Sequence, residues 1–243
     1  MRLKSILAAA AMAAPLAAFP TIAWAQDEAK SDTSEEASGP ITISGELGVL
    51  TDYRFRGLSL SGKNPELTAS LTIEHESGLY ASAWASNVDL GFGQADNIEI
   101  DWTAGFSKDV GNVSFDTGVI YYSYMKHSDF NYFEGYASVG TKVGPADLKV
   151  GVAYAPKQDN LGGDDNTYVY ISGDLPLGDG PFSLHGTFGY EDGAFAVHKK
   201  DWLLGASVDL GNGATLSADY VDTAHDVTGL GGETGVVSLK WGF

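Results

Sequence analysis

"NIEIDWTAGF", residues 97 to 106, decides the fold. Ile98, Ile100, Trp102, Ala104 and Phe106 fall on one parity, and Asn97, Glu99, Asp101 and Thr103 on the other. That is the period-two signature of a β-strand with one apolar and one polar face. The same reading of "ITISGELGVLTDY", residues 41 to 53, sets Ile41, Ile43, Leu47, Val49 and Tyr53 against Thr42, Ser44, Glu46 and Asp52, with Leu50 the one apolar residue on the polar parity. Carried along the chain, the alternation predicts strands near 41–53, 65–75, 79–88, 97–107, 113–124, 131–141, 146–155, 167–175, 182–190, 201–210, 214–222 and 234–243. These number about twelve, an even count. Strand 79–88 is ambiguous, because Leu79, Ala81, Ala83 and Ala85 compete with Tyr80, Trp84 and Val88 for the apolar face.

Length then separates architectures. Soluble sandwiches use strands of about five or six residues, whereas a tilted strand crossing a bilayer needs about 9 to 11. The predicted strands belong to the longer class. A propeller is disfavoured because a blade of about 40 to 45 residues holds four strands, and here the same stretch holds little more than two.

The connections alternate too. Short turn-like segments, "HESG" (75–78), "KDVGN" (108–112), "KVGP" (142–145), "PLGDGP" (176–181) and "GNG" (211–213), follow every second strand. The others, 54–64, 89–96, 125–130, 156–166, 191–200 and 223–233, are mostly longer. Turns on one side and loops on the other is the asymmetry of an outer-membrane barrel, with both chain ends on the periplasmic side. Aromatics on the apolar parity gather at strand ends, Tyr53, Tyr121, Tyr154, Tyr190, Trp202 and Tyr220 toward the loops and Phe106, Phe115, Phe182, Trp241 and Phe243 toward the turns. Such girdles mark the two membrane interfaces.

Composition agrees with an exported chain. Arg2 and Lys4 precede an apolar run from Ile6 to Ala18, and Ala23-Trp24-Ala25 has the small-x-small pattern of a signal-peptidase site. Residues 1–25 therefore read as a cleaved signal peptide, and 26–40, "QDEAKSDTSEEASGP", as a disordered acidic leader in the periplasm. Residues 41–243 form the barrel. The chain has no cysteine, so its stability must come from size, closure or a membrane rather than from disulfides. A formal charge of −18, from 32 acidic and 14 basic residues, argues against nucleic acid as a partner.

The segment "TDYRFRGLSLSGKNPELTASLTIEHESGLYASAWASNVD", residues 51–89, resembles the TorF family of proteobacterial outer-membrane porins through its Tyr-x-Phe-Arg-Gly and Trp-Ala-Ser-Asn-Val-Asp motifs. The terminal "VSLKWGF", with Val237, Leu239, Trp241 and Phe243 alternating, is similar to the signal that outer-membrane proteins offer to the barrel-assembly machinery. The resemblance implies a barrel and a pore in the cell outer membrane, without naming a solute or a catalytic residue.

The expected fold is thus an all-β, transmembrane, antiparallel up-and-down barrel. Twelve strands fall between the filled interior of eight-stranded barrels and the open channel of 16-stranded porins, so the pore is expected to be narrow or partly plugged. Parity sends Asp52, Glu66, Glu99, Asp101, Glu134 and most other strand acids into the lumen, together with Arg54 and Arg56 near the outer mouth. Two readings of these arginines stand: ion pairs with Asp52, Glu66 or Asp101 across neighbouring strands, or one side of a charged constriction. Burial under a folded loop is a third. The constriction candidates are Arg54, Arg56, Asp52, Glu66, Glu99 and Asp101, and the acidic majority predicts a mild preference for cations among small hydrophilic solutes. The expected partners are outer-membrane lipid, the assembly machinery through Trp241 and Phe243, and those solutes.

Other chemistry is sparse. No pair of histidines has the spacing of a metal motif, and no cofactor is expected. Ser183 and His185 share a strand face, the start of a nucleophile and base pair without a visible third member. The loop "KQDNLGGDDN", 157–166, carries oxygen donors but not the EF-hand pattern. A plugged structural or surface-interaction barrel, or an outer-membrane hydrolase, are the alternatives to a pore.

Overall fold

The computed structural model describes residues 40–89 and 97–243. The expected signal peptide (1–25), all but the last residue of the leader (26–40) and most of the 89–96 connection lie outside the described residues.

Twelve long strands close on themselves: β1 (Ile41–Leu50), β4 (Glu66–His75), β5 (Leu79–Val88), β6 (Asn97–Val110), β7 (Val113–Tyr124), β8 (Tyr132–Val143), β9 (Ala146–Ala155), β10 (Asn166–Pro176), β11 (Phe182–Gly193), β12 (Lys199–Gly211), β13 (Ala214–Ala224) and β14 (Thr234–Gly242). Each pairs antiparallel with its neighbours in sequence, and β14 returns to β1. Closure leaves no unpaired edge, which is what allows a sheet to stand in hydrocarbon. Two further strands, β2 (Arg54–Phe55) and β3 (Leu58–Ser59), pair only with each other.

Most strand limits match the alternation to within two or three residues. The main departure is β1, which ends at Leu50 rather than 53. At the loop side β11 runs on through Gly193 and β12 begins already at Lys199, so both walls rise higher than the alternation suggests.

The apolar parity faces outward. Ile43, Leu67 and Leu204 are each 64–65% exposed, and every wall strand carries exposed large apolar side chains, among them Ile98, Trp102, Val119, Val150 and Ile171. A soluble monomer does not leave such a surface in water. The ambiguous strand resolves the same way: Leu79, Ala81, Ala83 and Ala85 stand outside, while Tyr80, Trp84, Ser86 and Val88 are buried inside. Trp84 is held inside by Tyr53, with ring centroids 5.3 Å apart. Tyr80 is held by its hydroxyl, which donates to Asp116 at 2.8 Å.

The closing seam uses the last residue. Gly45 N donates to the Phe243 carbonyl at 2.9 Å and Phe243 N to the Gly45 carbonyl at 3.0 Å. The Phe243 ring lies over Gly45, where a Cβ would stand 2.5 Å from Cζ. Trp241 Nε1 donates to the Asn212 carbonyl at 2.7 Å, tying β14 to the neighbouring turn.

Candidate functional site

The connection after β1 does not extend the wall. Residues 54–59 fold into the mouth of the barrel as a hairpin in which Arg54 pairs with Ser59 and Phe55 with Leu58. The two residues at its tip, Arg56 (φ 45°) and Gly57 (φ 81°), both lie at positive φ, as in a type I′ two-residue turn. Apolar residues on both arms, Tyr53, Phe55, Leu58 and Leu60, are buried to 2–3% exposure. This burial opposes the entropy of ordering the loop. The neck is stapled by Asp52, which accepts from Ser59 Oγ (2.6 Å), Ser61 Oγ (3.0 Å) and Arg54 Nε (2.6 Å). Arg54 Nη1 also donates to the carbonyls of Gly57 (3.1 Å), Leu230 (3.3 Å) and Gly232 (3.3 Å), so the 225–233 loop clamps the hairpin from above.

Parity fails here. Tyr53, expected at the lipid interface, is inside the lumen, and Phe55 with it, because the strand ends three residues before Tyr53 and the hairpin sets its own alternation. Arg54 pairs with Asp52, one of the partners expected for it, but within the loop rather than across the wall. Arg56 pairs with none of Asp52, Glu66 and Asp101. It reaches the far wall, where Nη2 bonds Glu134 on β8 at 2.6 Å and Nη1 bonds Glu191 on β11 at 2.8 Å. Its guanidinium lies 4.4 Å from the centroid of Tyr168 on β10.

The wall around that guanidinium is braced independently of the hairpin. Tyr122 Oη donates to Glu134 at 3.2 Å, Asn166 Nδ2 to Glu191 at 3.0 Å, and Tyr168 Oη to Asp201 at 3.0 Å. The Tyr168 ring sits where Gly189 leaves room, since a Cβ there would stand 2.1 Å from the hydroxyl. Lys199 pairs with Glu191 at 3.0 Å and Asp201 at 3.6 Å, and its ammonium also donates to the Arg56 carbonyl.

Glu66, Glu99 and Asp101 point into the same mouth and are 0–3% exposed. Tyr124 Oη donates to Glu99 at 2.8 Å. Both oxygens of Glu66, and one each of Glu99 and Asp101, have no hydrogen-bond partner among the described residues. The buried mouth therefore holds seven acidic side chains (Asp52, Glu66, Glu99, Asp101, Glu134, Glu191 and Asp201) and three basic ones (Arg54, Arg56 and Lys199).

Sequence reasoning missed Glu191 and Lys199, which it left in the 191–200 connection. Alternation continued one residue beyond the outward Tyr190 would have turned Glu191 inward. In the turn-side half of the lumen, His185 Nε2 and Asp219 Oδ1 are 2.7 Å apart, an acid partner that spacing did not reveal. Ser183 bonds Ser207 Oγ at 2.8 Å instead of the imidazole, so the pair does not assemble as a nucleophile and base. In the 156–165 loop, Asp165 accepts from Tyr154 Oη at 2.9 Å. Among the described residues no group of three or more acidic or histidine side chains has the geometry to hold a metal ion.

A closed twelve-stranded β-barrel with an apolar exterior, a charged interior and a loop folded into its mouth is the class that fold and site define. Within it, residues 34–240 match the family model Gcw_chp, described as a bacterial protein of unknown function, and the chain belongs to that family. No curated protein matches it. Among solved structures it is similar in fold to the KdgM porin, at 11% identity with a TM-score of 0.57, covering 82% of this chain and 99% of that one. The KdgM porin in complex with disordered oligogalacturonate matches at 11% identity, TM-score 0.55, over 83% and 98% of the two chains. The NanC porin matches at 10% identity, TM-score 0.49, over 83% and 98%.

Proposed function

We propose that this chain is an outer-membrane porin-like channel, narrowed at its mouth by its own first loop and mildly selective for cations among small hydrophilic solutes. The observation that carries the proposal is the pairing of a closed sheet whose outer face is apolar with a polar interior whose buried ionisable side chains are mostly acidic. A lipid-facing exterior needs only apolar side chains, whereas a charged, hydroxyl-rich interior serves solutes that cross in water. The resemblance of residues 51–89 to the TorF porins and the fold of the KdgM porin support the same reading. In that picture residues 1–25 direct export and are removed, 26–40 stay in the periplasm as a disordered acidic leader, and Trp241 and Phe243 present the last strand to the assembly machinery.

Charge at the mouth sets the selectivity. The KdgM porin is seen with oligogalacturonate, a polyanion. Here acidic side chains outnumber basic ones along the strands of the lumen, a balance that disfavours such a chain and favours cations, over a range of about 8 to 10 Å at ordinary salt. Catalysis is not part of the reading, since Ser183 and His185 point to different partners. The test is a reversal potential across a planar bilayer in a KCl gradient. A potential of the sign for K⁺ permeation is expected. Anion selectivity would overturn the charge argument, and the absence of any current would favour the plugged structural barrel, for which the buried hairpin is the specific support.

A further inference from the structure

The hairpin tip places an arginine where the turn chemistry does not ask for one. Positive φ at the first centre residue of such a turn favours Asn, Asp or Gly, and an arginine there is held at some backbone cost. Its side chain is what the position uses, and everything that side chain meets on the far wall belongs to the barrel rather than to the loop. Glu134 and Glu191 supply carboxylates on two sides, and Tyr168 supplies an aromatic face, each braced by a wall residue. This is a preformed guanidinium socket.

The occupant does not saturate it. Arg56 Nε and Glu134 Oε2 have no hydrogen-bond partner among the described residues, and each carboxylate is engaged through a single oxygen by a different nitrogen of the guanidinium. A free guanidinium, not tethered through a strained turn, can approach Glu134 with two parallel bonds, the stronger arrangement. Beyond the socket, Glu66, Glu99 and Asp101 remain without a cation, a row of buried carboxyl groups along the wall toward β4.

We propose that Arg56 is a tethered stand-in for the channel's solute. The socket of Glu134, Glu191 and Tyr168 binds compounds bearing a guanidinium or primary ammonium group, and such compounds open the mouth by replacing Arg56. The proposal rests on the channel reading above and narrows its solute class. A tethered group competes at an effective concentration of roughly millimolar, so free guanidinium compounds act in that range.

The experiment has an arm that needs no current. Binding of L-argininamide to the detergent-solubilised, folded protein is followed by titration calorimetry for wild type, Arg56→Gln, and Arg56→Gln with Glu134→Gln and Glu191→Gln. Arg56→Gln is expected to bind more tightly than wild type. The triple variant is expected to bind roughly 30-fold or more weakly than Arg56→Gln, the loss that follows when a partner of a buried charge pair is removed. In planar bilayers, guanidinium chloride is expected to raise the wild-type current above that seen with equal tetramethylammonium chloride, which cannot donate hydrogen bonds. It is expected to block Arg56→Gln. Equal L-argininamide binding by Arg56→Gln and the triple variant, or identical responses to the two salts in wild type and Arg56→Gln, overturns the proposal and leaves the channel reading intact. A folded Arg56→Gln barrel that binds argininamide but carries no current overturns the channel reading instead and confines the socket to a binding role.

Discussion

Gly57→Ala tests the seating of the hairpin without touching the barrel wall. Two effects add. A Cβ at Gly57 would stand 2.2 Å from Thr223 Cγ2 and 2.8 Å from Asp201 Cβ, so the tip no longer fits against β12 and β13. Overpacking of this kind costs about 1 to 3 kcal/mol. The positive φ of 81° adds about 1 to 2 kcal/mol for a residue with a side chain. Together these amount to about 2 to 5 kcal/mol, which shifts the seated-to-unseated equilibrium by ~30-fold to a few thousandfold at 1.4 kcal/mol per factor of ten. Trypsin reads that equilibrium directly, because the side chains of Arg54 and Arg56, which the protease must bind, are buried when the hairpin is seated, while Lys63 in the same loop is exposed. The variant is expected to be cut after Arg54 and Arg56 faster by that factor, with cutting after Lys63 unchanged as the internal reference. Equal cutting rates at Arg54 and Arg56 in a folded variant would refute the argument that the tip is held by close fit.

Three further outcomes follow from the geometry. Ala83→Arg puts a charge at the middle of the outer face of β5, opposite Leu71 and Trp102, and should destabilise the lipid-embedded barrel by about 2 to 4 kcal/mol, read from urea unfolding in vesicles. Deleting Phe243 removes both backbone bonds of the seam to Gly45 and the ring that covers it, and should lower the yield of the compact form that migrates differently when boiled and unboiled. Burial alone would raise the Asp226 carboxyl, but Thr228 Oγ1 and the amides of Thr228, Gly231 and Gly229 hold it below the usual carboxylate range. A lowered folded value means the contribution is complete above the ordinary Asp value of about 3.9 and is lost as pH falls through the lowered one. The 225–233 loop, and with it the Leu230 and Gly232 carbonyls that hold Arg54, should therefore become open to pepsin only in strong acid, and in Asp226→Asn at higher pH.

Much of this was legible in the residues. Period two along β6 sorts Ile98 through Phe106 outward and Glu99 and Asp101 inward because a closed sheet in lipid allows each side chain only two surroundings. The same rule placed nearly every wall strand and the inward acids. It could not place the hairpin, because alternation states which side of a strand a residue takes but not whether the strand belongs to the wall. Tyr53 and Phe55 look the same in both cases. The clue was apolar residues on both sides of Arg56-Gly57, at 53, 55, 58 and 60, in a loop that would otherwise be polar. Nor does alternation specify partners: Arg56 meets Glu134 and Glu191 across 78 and 135 residues of sequence, a juxtaposition set by closure.

The claim on which the rest depends is that every second residue of the wall meets lipid. Because the chain lacks cysteine, single cysteines at successive positions from Ile98 to Phe106 can carry a nitroxide without background. In reconstituted vesicles, collision with oxygen, which concentrates in the bilayer, is expected to be high at 98, 100, 102, 104 and 106 and low at the positions between. A profile without that two-residue period, or with its phase reversed, would contradict the account.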